Sequence, residues 1–364
     1  MQKQYKTTLE EIINIYRYLH QIPELSNQEY LTQKYILKYL EQFDFEVVTV
    51  NTGVMVYVDN NKKDIIAFRA EMDALPIEEK NDFEYKSKNN NMHACGHDGH
   101  MAILLMLCKY IYSNKNKLRY NYLLIFLPSE EKYGGSKLIT DSLFFNLHVP
   151  KYTFALHLYP GLSEGKIFCR NGAFLAMCCE IDIAIKGKST HIQNSEQGID
   201  AIKIGNELIN ELYLYFDRLD KNKTKFLIGK INGGKARNIV SNNLSILITL
   251  RNFNKEDYLR QKKYISSLID EYKNKIEIRI HFNDDFDPVI NDKDLLNKVK
   301  NIHPIYETSR KIIGDDFAKY HLYSKTNYYL LGIKSNSFLH ESTFAFNEKV
   351  LLKGLEFFIK LINL

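Results

Sequence analysis

Nothing in this 364-residue chain approaches the run of about 20 apolar residues that spans a membrane. The opening stretch, Met1 to Glu10, is polar and lacks the apolar core of a secretion signal. A disulfide framework is missing too. The five cysteines (Cys95, Cys108, Cys169, Cys178 and Cys179) are odd in number and two are adjacent. The expectation is a cytoplasmic protein whose cysteines stay reduced, free to serve as metal ligand or nucleophile. There is no concentrated basic face. The net charge of +5 is spread out, and lysines such as Lys115 and Lys117 alternate with asparagine. Neither nucleic acid nor membrane is expected as a partner. No internal repeat, low-complexity tract or long Pro/Gly/Ser linker divides the chain. What is present is the balance of a globular protein, 45% hydrophobic and 26% charged residues. The length suits two domains, or one large domain with an insertion.

Thr8 followed by Glu11 reads as a capping box opening a first helix, with Leu9, Ile12, Ile13 and Tyr16 on one face. Ser26 with Glu29 reads as a second capping box, opening a helix to about Glu41. The segment His20-Gln-Ile-Pro-Glu-Leu25 between them is a turn. Short apolar runs follow at 45–50, 54–58, 65–68, 122–127 and 153–156, with helical stretches among them, one after Gly99. This mixture predicts an α/β fold, a central sheet with helices on its faces.

The middle of the chain reads differently. Ile181, Ile183 and Ile185 alternate with polar residues as in a half-buried strand. A helix over 198–216, strands at 226–231 and 244–251, a helix over 256–272 and a strand from Ile276 to Phe282 follow. The order β-α-β-β-α-β is the ferredoxin-like pattern. The expected domains are therefore a catalytic domain over 1–175, an inserted α+β domain over 176–288, and the rest of the catalytic domain over 289–364. A strand at 328–333 and a helix at 348–361 close the second part.

The densest chemistry is Met92-His-Ala-Cys-Gly-His-Asp-Gly-His100. Three histidines, a cysteine and an aspartate within nine residues are hard to explain by packing, and Gly96 and Gly99 are expected to loosen the backbone there. Thiolate and neutral imidazole both bind borderline-soft divalent ions. Pro128-Ser-Glu-Glu131 follows the strand at 122–127, and Gly134-Gly135 come next. Asp73 and His157 fall just past two other strands, and His340 shortly after a fourth. Open α/β sheets place their sites at such strand ends. Any one of these residues alone is ordinary. Together they deliver Asp, Glu-Glu, His and His toward one edge. Two divalent ions with a shared carboxylate or water would use such a set, and one of Glu130 and Glu131 would stay off the metals as general base.

These motifs resemble those of the dinuclear metallopeptidase family of aminoacylases and carboxypeptidases. The likeness is strongest to the amidohydrolase branch that includes hippurate hydrolase, auxin-conjugate hydrolases and N-acetyldiaminopimelate deacetylase. It runs nearly end to end. It includes Leu19-His-Gln-Ile-Pro-Glu-Leu-Ser26, Arg69-Ala-Glu-Met-Asp-Ala-Leu-Pro76, Ala155-Leu-His157, Gly187-Lys-Ser-Thr-His191, Gly233-Gly-Lys-Ala-Arg-Asn238, Leu250-Arg251, Gly314-Asp-Asp-Phe317 and Leu339-His340. The resemblance implies a mixed-sheet, zinc-peptidase-like catalytic domain with a ferredoxin-like lid, through which two copies form a homodimer. It implies Cys95, His97, Glu131, His157 and His340 as ligands of two divalent ions, zinc or manganese, with cobalt or nickel as alternatives. Glu130 then takes the proton of a metal-activated water. Asp73 supports the metal site, and His191 stabilises the oxyanion. Asn238 and Arg251 meet the substrate, a small N-acyl amino acid such as N-acetyldiaminopimelate or a hippurate-like compound.

Three positions depart from the family pattern. Glu71 stands where an aspartate is usual, Ser129 where alanine is usual, and a common proline is missing after His191. The Glu71 departure keeps open a catalytically impaired relative that binds ligand or metal. A thiol hydrolase, with Cys95 as nucleophile and His97 or His100 as base, is a further alternative. It would leave Glu130, Glu131, His157 and His340 without a role.

Overall fold

The computed structural model describes residues 2–132, 134–283 and 286–364. The chain divides into two compact units. The larger comprises Met1–Phe174, Ile290–Ser309 and Asp316–Leu364; the smaller comprises Leu175–Val289 and Arg310–Asp315.

The larger unit opens with helices α1 (Gln2–His20) and α2 (Tyr30–Leu40). Strands β1 (Glu46–Val50), β2 (Gly53–Val58) and β3 (Ile65–Glu71) lead to α3 (His97–Asn114). Then come β4 (Asn121–Leu127), α4 (Gly135–Asp141), α5 (Leu143–Leu147), β5 (Tyr152–Pro160), β6 (Ile167–Cys169) and β7 (Gly172–Leu175). The smaller unit holds β8 (Met177–Lys186), α6 (Ala201–Phe216), β9 (Thr224–Gly233), β10 (Asn243–Asn252), α7 (Lys255–Tyr272) and β11 (Glu277–Phe282). After β12 (Val289–Asn291), the chain finishes the larger unit with α8 (Lys293–Lys300), β13 (Tyr306–Glu307), β14 (Lys325–Ile333) and α9 (Leu351–Leu361).

The large sheet is mixed, in the order β1-β2-β4-β3-β5-β14-β6-β13. Its centre, β4, β3, β5 and β14, is parallel. These strands read as unbroken apolar runs because helices cover both faces; β4 and β14 are buried along almost their whole length. Helix α3 is buried from His97 through Cys108, so it is apolar all round rather than striped. It packs against α1, α9 and β3. The parallel centre turns the carboxyl ends of β3 and β4, and the carboxyl halves of β5 and β14, toward one edge.

The smaller unit is a four-stranded antiparallel sheet, order β11-β8-β10-β9. With one helix between β8 and β9 and another between β10 and β11, this is the ferredoxin-like arrangement. Ile181, Ile183 and Ile185 of β8 face Leu244, Ile246 and Ile248 of β10 and the helices in a separate core. Asp200 and Asn254 cap α6 and α7 through backbone amides two and three residues on.

Several local expectations are corrected. Helix α1 begins at Gln2, so Thr8 and Glu11 are interior. Glu11 instead bonds Lys109 Nζ at 2.7 Å and the Tyr39 hydroxyl at 3.1 Å. The Ser26–Glu29 capping box is not formed. Helix α2 is capped by Glu24, whose carboxylate accepts from the amides of Leu31 (3.1 Å) and Thr32 (2.9 Å). The helix expected after Gly99 starts at His97, and the one expected from Gly198 starts at Ala201. His157 lies within β5 rather than past its end, because that strand runs on to Pro160.

Candidate metal centre

The site is assembled at the edge where the parallel strands point. Between Cys95 and His97 the chain reverses through Gly96, whose φ of +85° is a left-handed conformation that favours glycine. Glycine here tightens the turn rather than loosening it. Gly99 serves packing: a Cβ on it would lie 2.8 Å from Leu158 Cδ1 and 2.9 Å from Leu351 Cδ2. Cys95 Sγ, one His97 ring nitrogen and a Glu131 carboxylate oxygen lie within 4.8 Å of one another. His157 Nε2 is 3.4 Å from Cys95 Sγ. His340 Nε2 is 3.4 Å from Glu131 Oε1. Three of the five residues expected as ligands thus cluster together, with His157 adjoining Cys95 and His340 adjoining Glu131.

The tautomers fit a metal. His97 donates its Nδ1–H to the Asp73 carbonyl at 2.8 Å, and His157 donates its own to the Leu158 carbonyl at 2.7 Å. Each ring then presents Nε2 to the cluster, the arrangement of metal-binding histidines. His97 Nε2 and Glu131 Oε1 are buried without a hydrogen-bond partner. Buried polar atoms are rarely left so, and a cation between them would satisfy both. His340 is held in a left-handed conformation, φ +66°, with its amide bonded to the Ala94 carbonyl at 2.9 Å. Such strain in a non-glycine residue is typical of functional positions.

The electrostatics agree. Burial pushes the Cys95 thiol pKa well up, and the charges of Glu131, Glu130 and Glu71 push it further. Burial opposes the His97 imidazolium, but the Asp73 carboxylate, 3.5 Å from Nδ1, and the charges of Glu71 and Glu131 outweigh it and raise its pKa to about 10. A site that keeps protons on two of its own ligand atoms carries surplus negative charge. His157 goes the other way: burial and the neighbouring His100 hold it neutral, ready to ligate.

Glu71, His97, His100 and His157 also bring ligand-type atoms within 4.8 Å. Glu71 and His100 are already engaged. His100 Nδ1–H donates to Glu71 Oε2 at 2.8 Å, and its Nε2 accepts the Leu158 amide at 2.9 Å. Glu71 Oε1 accepts from Arg69 Nη1, and Arg69 Nη2 reaches Asp316 Oδ1 at 2.9 Å. Asp316 in turn holds the amide of Ser136 at 2.7 Å and its hydroxyl at 2.9 Å. The longer side chain at position 71 is thus taken up in a buried network behind the site. The third histidine of the motif, His93, is buried with neither ring nitrogen hydrogen-bonded. Burial, with the charges of His20 and His97 acting the same way, lowers its pKa to about 4.

Glu130 sits on the tight turn after β4, 7% exposed. A carboxylate oxygen of Glu130 lies within 4.8 Å of one from Asp316. Ser129 before it has a left-handed φ of +56°. Its amide donates to Glu29 Oε1 at 2.7 Å, and the Glu131 amide donates to Asp73 Oδ2 at 2.9 Å. Thr52 Oγ1 donates to the other Glu29 oxygen at 2.6 Å, and Ser26 Oγ to Asp73 Oδ2 at 2.6 Å. Gly135 lets the turn close, since a Cβ there would lie 1.8 Å from the Pro128 carbonyl oxygen. Sequence reasoning missed Ser26 and Glu29 as site residues. Their capping-box spacing was the signal, read for the wrong purpose.

In the smaller unit, His191 Nε2 and Asn238 Nδ2 are 3.4 Å apart and both residues are exposed. Arg251 Nη2 donates to Glu180 Oε1 at 3.1 Å, an oxygen that also accepts from Thr249 Oγ1 at 2.8 Å. Among the described residues, no helix is long and apolar enough to cross a membrane.

Residues 67–364 match peptidase family M20/M25/M40, and the chain belongs to that family. It is 32% identical to an N-acetyldiaminopimelate deacetylase of Ligilactobacillus salivarius over 364 residues, covering 95% of this chain and 94% of the relative. A putative aminohydrolase from methicillin-resistant Staphylococcus aureus superposes with a TM-score of 0.90 at 26% identity, covering 99% of this chain and 97% of the other. A Bacillus subtilis structure described as a dinuclear metal binding peptidase of the M20 family superposes at 0.85 with 25% identity, covering 98% of each chain. The protein is accordingly a hydrolase of the M20 family.

Proposed function

We propose that this protein is a two-metal amidohydrolase that cleaves the amide bond of N-acyl amino acids. The observation that carries the reading is the convergence of Cys95, His97, Glu131, His157 and His340, with ligand atoms left unpaired, beside the turn bearing Glu130. Those five residues would hold two divalent ions, which when bound supply Lewis acidity and lower the pKa of water. Glu130 accepts the proton of the attacking water and returns it to the departing amine. Asp73 fixes His97 through its carbonyl and the Glu130–Glu131 turn through its carboxylate. His191 stabilises the oxyanion, while Asn238 and Arg251 bind the substrate's polar groups. Zinc suits the thiolate, with manganese, cobalt or nickel as alternatives.

Likeness to the Ligilactobacillus enzyme favours N-acetyldiaminopimelate as substrate, with hippurate-like compounds second. A homodimer through the smaller unit is part of the proposal. Strand β9 is an edge of that unit's sheet, with Leu227 and Ile231 exposed, and an edge strand can pair with its own copy about a two-fold axis. All five cysteines are free and buried, in keeping with a cytoplasmic location.

The test is a panel of N-acetyl-diaminopimelate, hippurate and N-acetyl-methionine, assayed on chelator-stripped protein reloaded with Zn²⁺ or Mn²⁺ separately. Metal-dependent release of free amino acid is expected. A protein that binds two ions yet hydrolyses no N-acyl amino acid would contradict the reading.

A further inference from the structure

We propose that Glu29 is a positioning residue for Glu130, acting through the backbone of the turn at 128–131. The inference rests on the reading of Glu130 as general base. Glu29 is fully buried, and both of its carboxylate oxygens are engaged, one by the Ser129 amide at 2.7 Å and one by the Thr52 hydroxyl at 2.6 Å. Neither partner is a candidate ligand. A buried carboxylate is costly to keep unless it is bonded, so its presence needs a reason. The residue it holds supplies one. Ser129 carries a left-handed φ of +56°, a conformation that persists only where the surroundings over-determine it.

The amides on both sides of Glu130 end on buried carboxylates, Ser129 on Glu29 and Glu131 on Asp73. The segment before α2 organises both. Ser26 binds Asp73, and Asn27 Nδ2 donates to Ser129 Oγ at 2.8 Å. Serine in place of the family's usual alanine therefore adds a second tether to the same turn. A proton-transfer group displaced by about 1 Å can lose on the order of 100-fold in rate. Glu29 is not itself among the proposed ligands, so changing it removes none of them.

The experiment compares Glu29→Met, which keeps length and loses the acceptor, with Glu29→Gln, which keeps an acceptor oxygen. The substrate is the N-acetyl amino acid the enzyme turns over best. Glu29→Met is expected to lower kcat by about 10- to 100-fold, with KM and metal content per chain unchanged. The acid limb of its pH–rate profile should move, and amide exchange in peptides covering 128–131 should speed up. Glu29→Gln is expected to recover kcat to within about 3-fold. Thr52→Val carries the test if Glu29→Met does not fold, with a smaller fall in kcat of about 3-fold. Wild-type kcat in Glu29→Met, or in Thr52→Val where Glu29→Met does not fold, overturns the proposal. A loss that follows metal content, with no recovery in Glu29→Gln, overturns it also. Glu130→Gln separates the two readings. If that variant is inactive while Glu29→Met is fully active, only the positioning role fails. If Glu130→Gln is fully active, the general-base reading itself fails.

Discussion

Replacing His20 by glutamine tests how the first helix is locked to α3, the helix that begins at His97. His20 closes α1, and its buried ring lies between two carboxylates. Nδ1 is 2.6 Å from Asp98 Oδ2, and Nε2 is 3.2 Å from Glu79 Oε1. Asp98 is the second residue of α3, next to His97. Burial opposes the charge on His20, but the Asp98 and Glu79 bonds raise its pKa from 6.5 to about 9. A pKa raised on folding stabilises the native state fully below 6.5, and that contribution is lost as the pH climbs through about 9. At about 1.36 kcal/mol per pH unit, the interval corresponds to on the order of 3 kcal/mol. The assay is urea unfolding of chelator-treated protein between pH 6.5 and 9.5, wild type against His20→Gln. The wild type should lose about 3 kcal/mol more than the variant across that range. Parallel stability profiles would refute the clamp, since the ring would then titrate alike folded and unfolded.

Adding Zn²⁺ to the metal-free protein near neutral pH should release about two protons per chain, one each from Cys95 and His97, whose pKa values are both raised. Calorimetry in two buffers of different ionisation enthalpy measures the number, and release near zero would contradict it. Arg69→Met leaves the Glu71 and Asp316 carboxylates buried without their cation and should cost about 3–5 kcal/mol in urea unfolding. A cost near zero would mean the network contributes nothing. Glu24→Ala removes the acceptor for the first amides of α2 and should cost about 1 kcal/mol, read the same way.

The parallel core of the larger sheet was legible because its strands are buried on both faces and so read as unbroken apolar runs. The ferredoxin-like unit was legible for the opposite reason: β8 and β10 alternate apolar with polar residues. The short strands β6, β7, β12 and β13, of two to four residues, carry too little pattern to be seen. Within the site, the Cys95–His97 motif and the Glu130–Glu131 pair stood out by density of chemistry. The residues that hold them did not. Ser26 and Glu29 obey local capping rules, yet tertiary partners more than 20 residues away claim both side chains. Glu71 looked like a defect because sequence shows a side chain's length without showing the Arg69 and His100 that receive it.

The central claim is that Glu130 is the general base of a two-metal site, and Glu130→Gln tests it most directly. The measurement is kcat on an N-acetyl amino acid, alongside metal content for wild type and variant. The expected result is a fall of about 10²- to 10⁴-fold in kcat with both metals retained. A variant that keeps both its metals and its wild-type kcat would contradict the account.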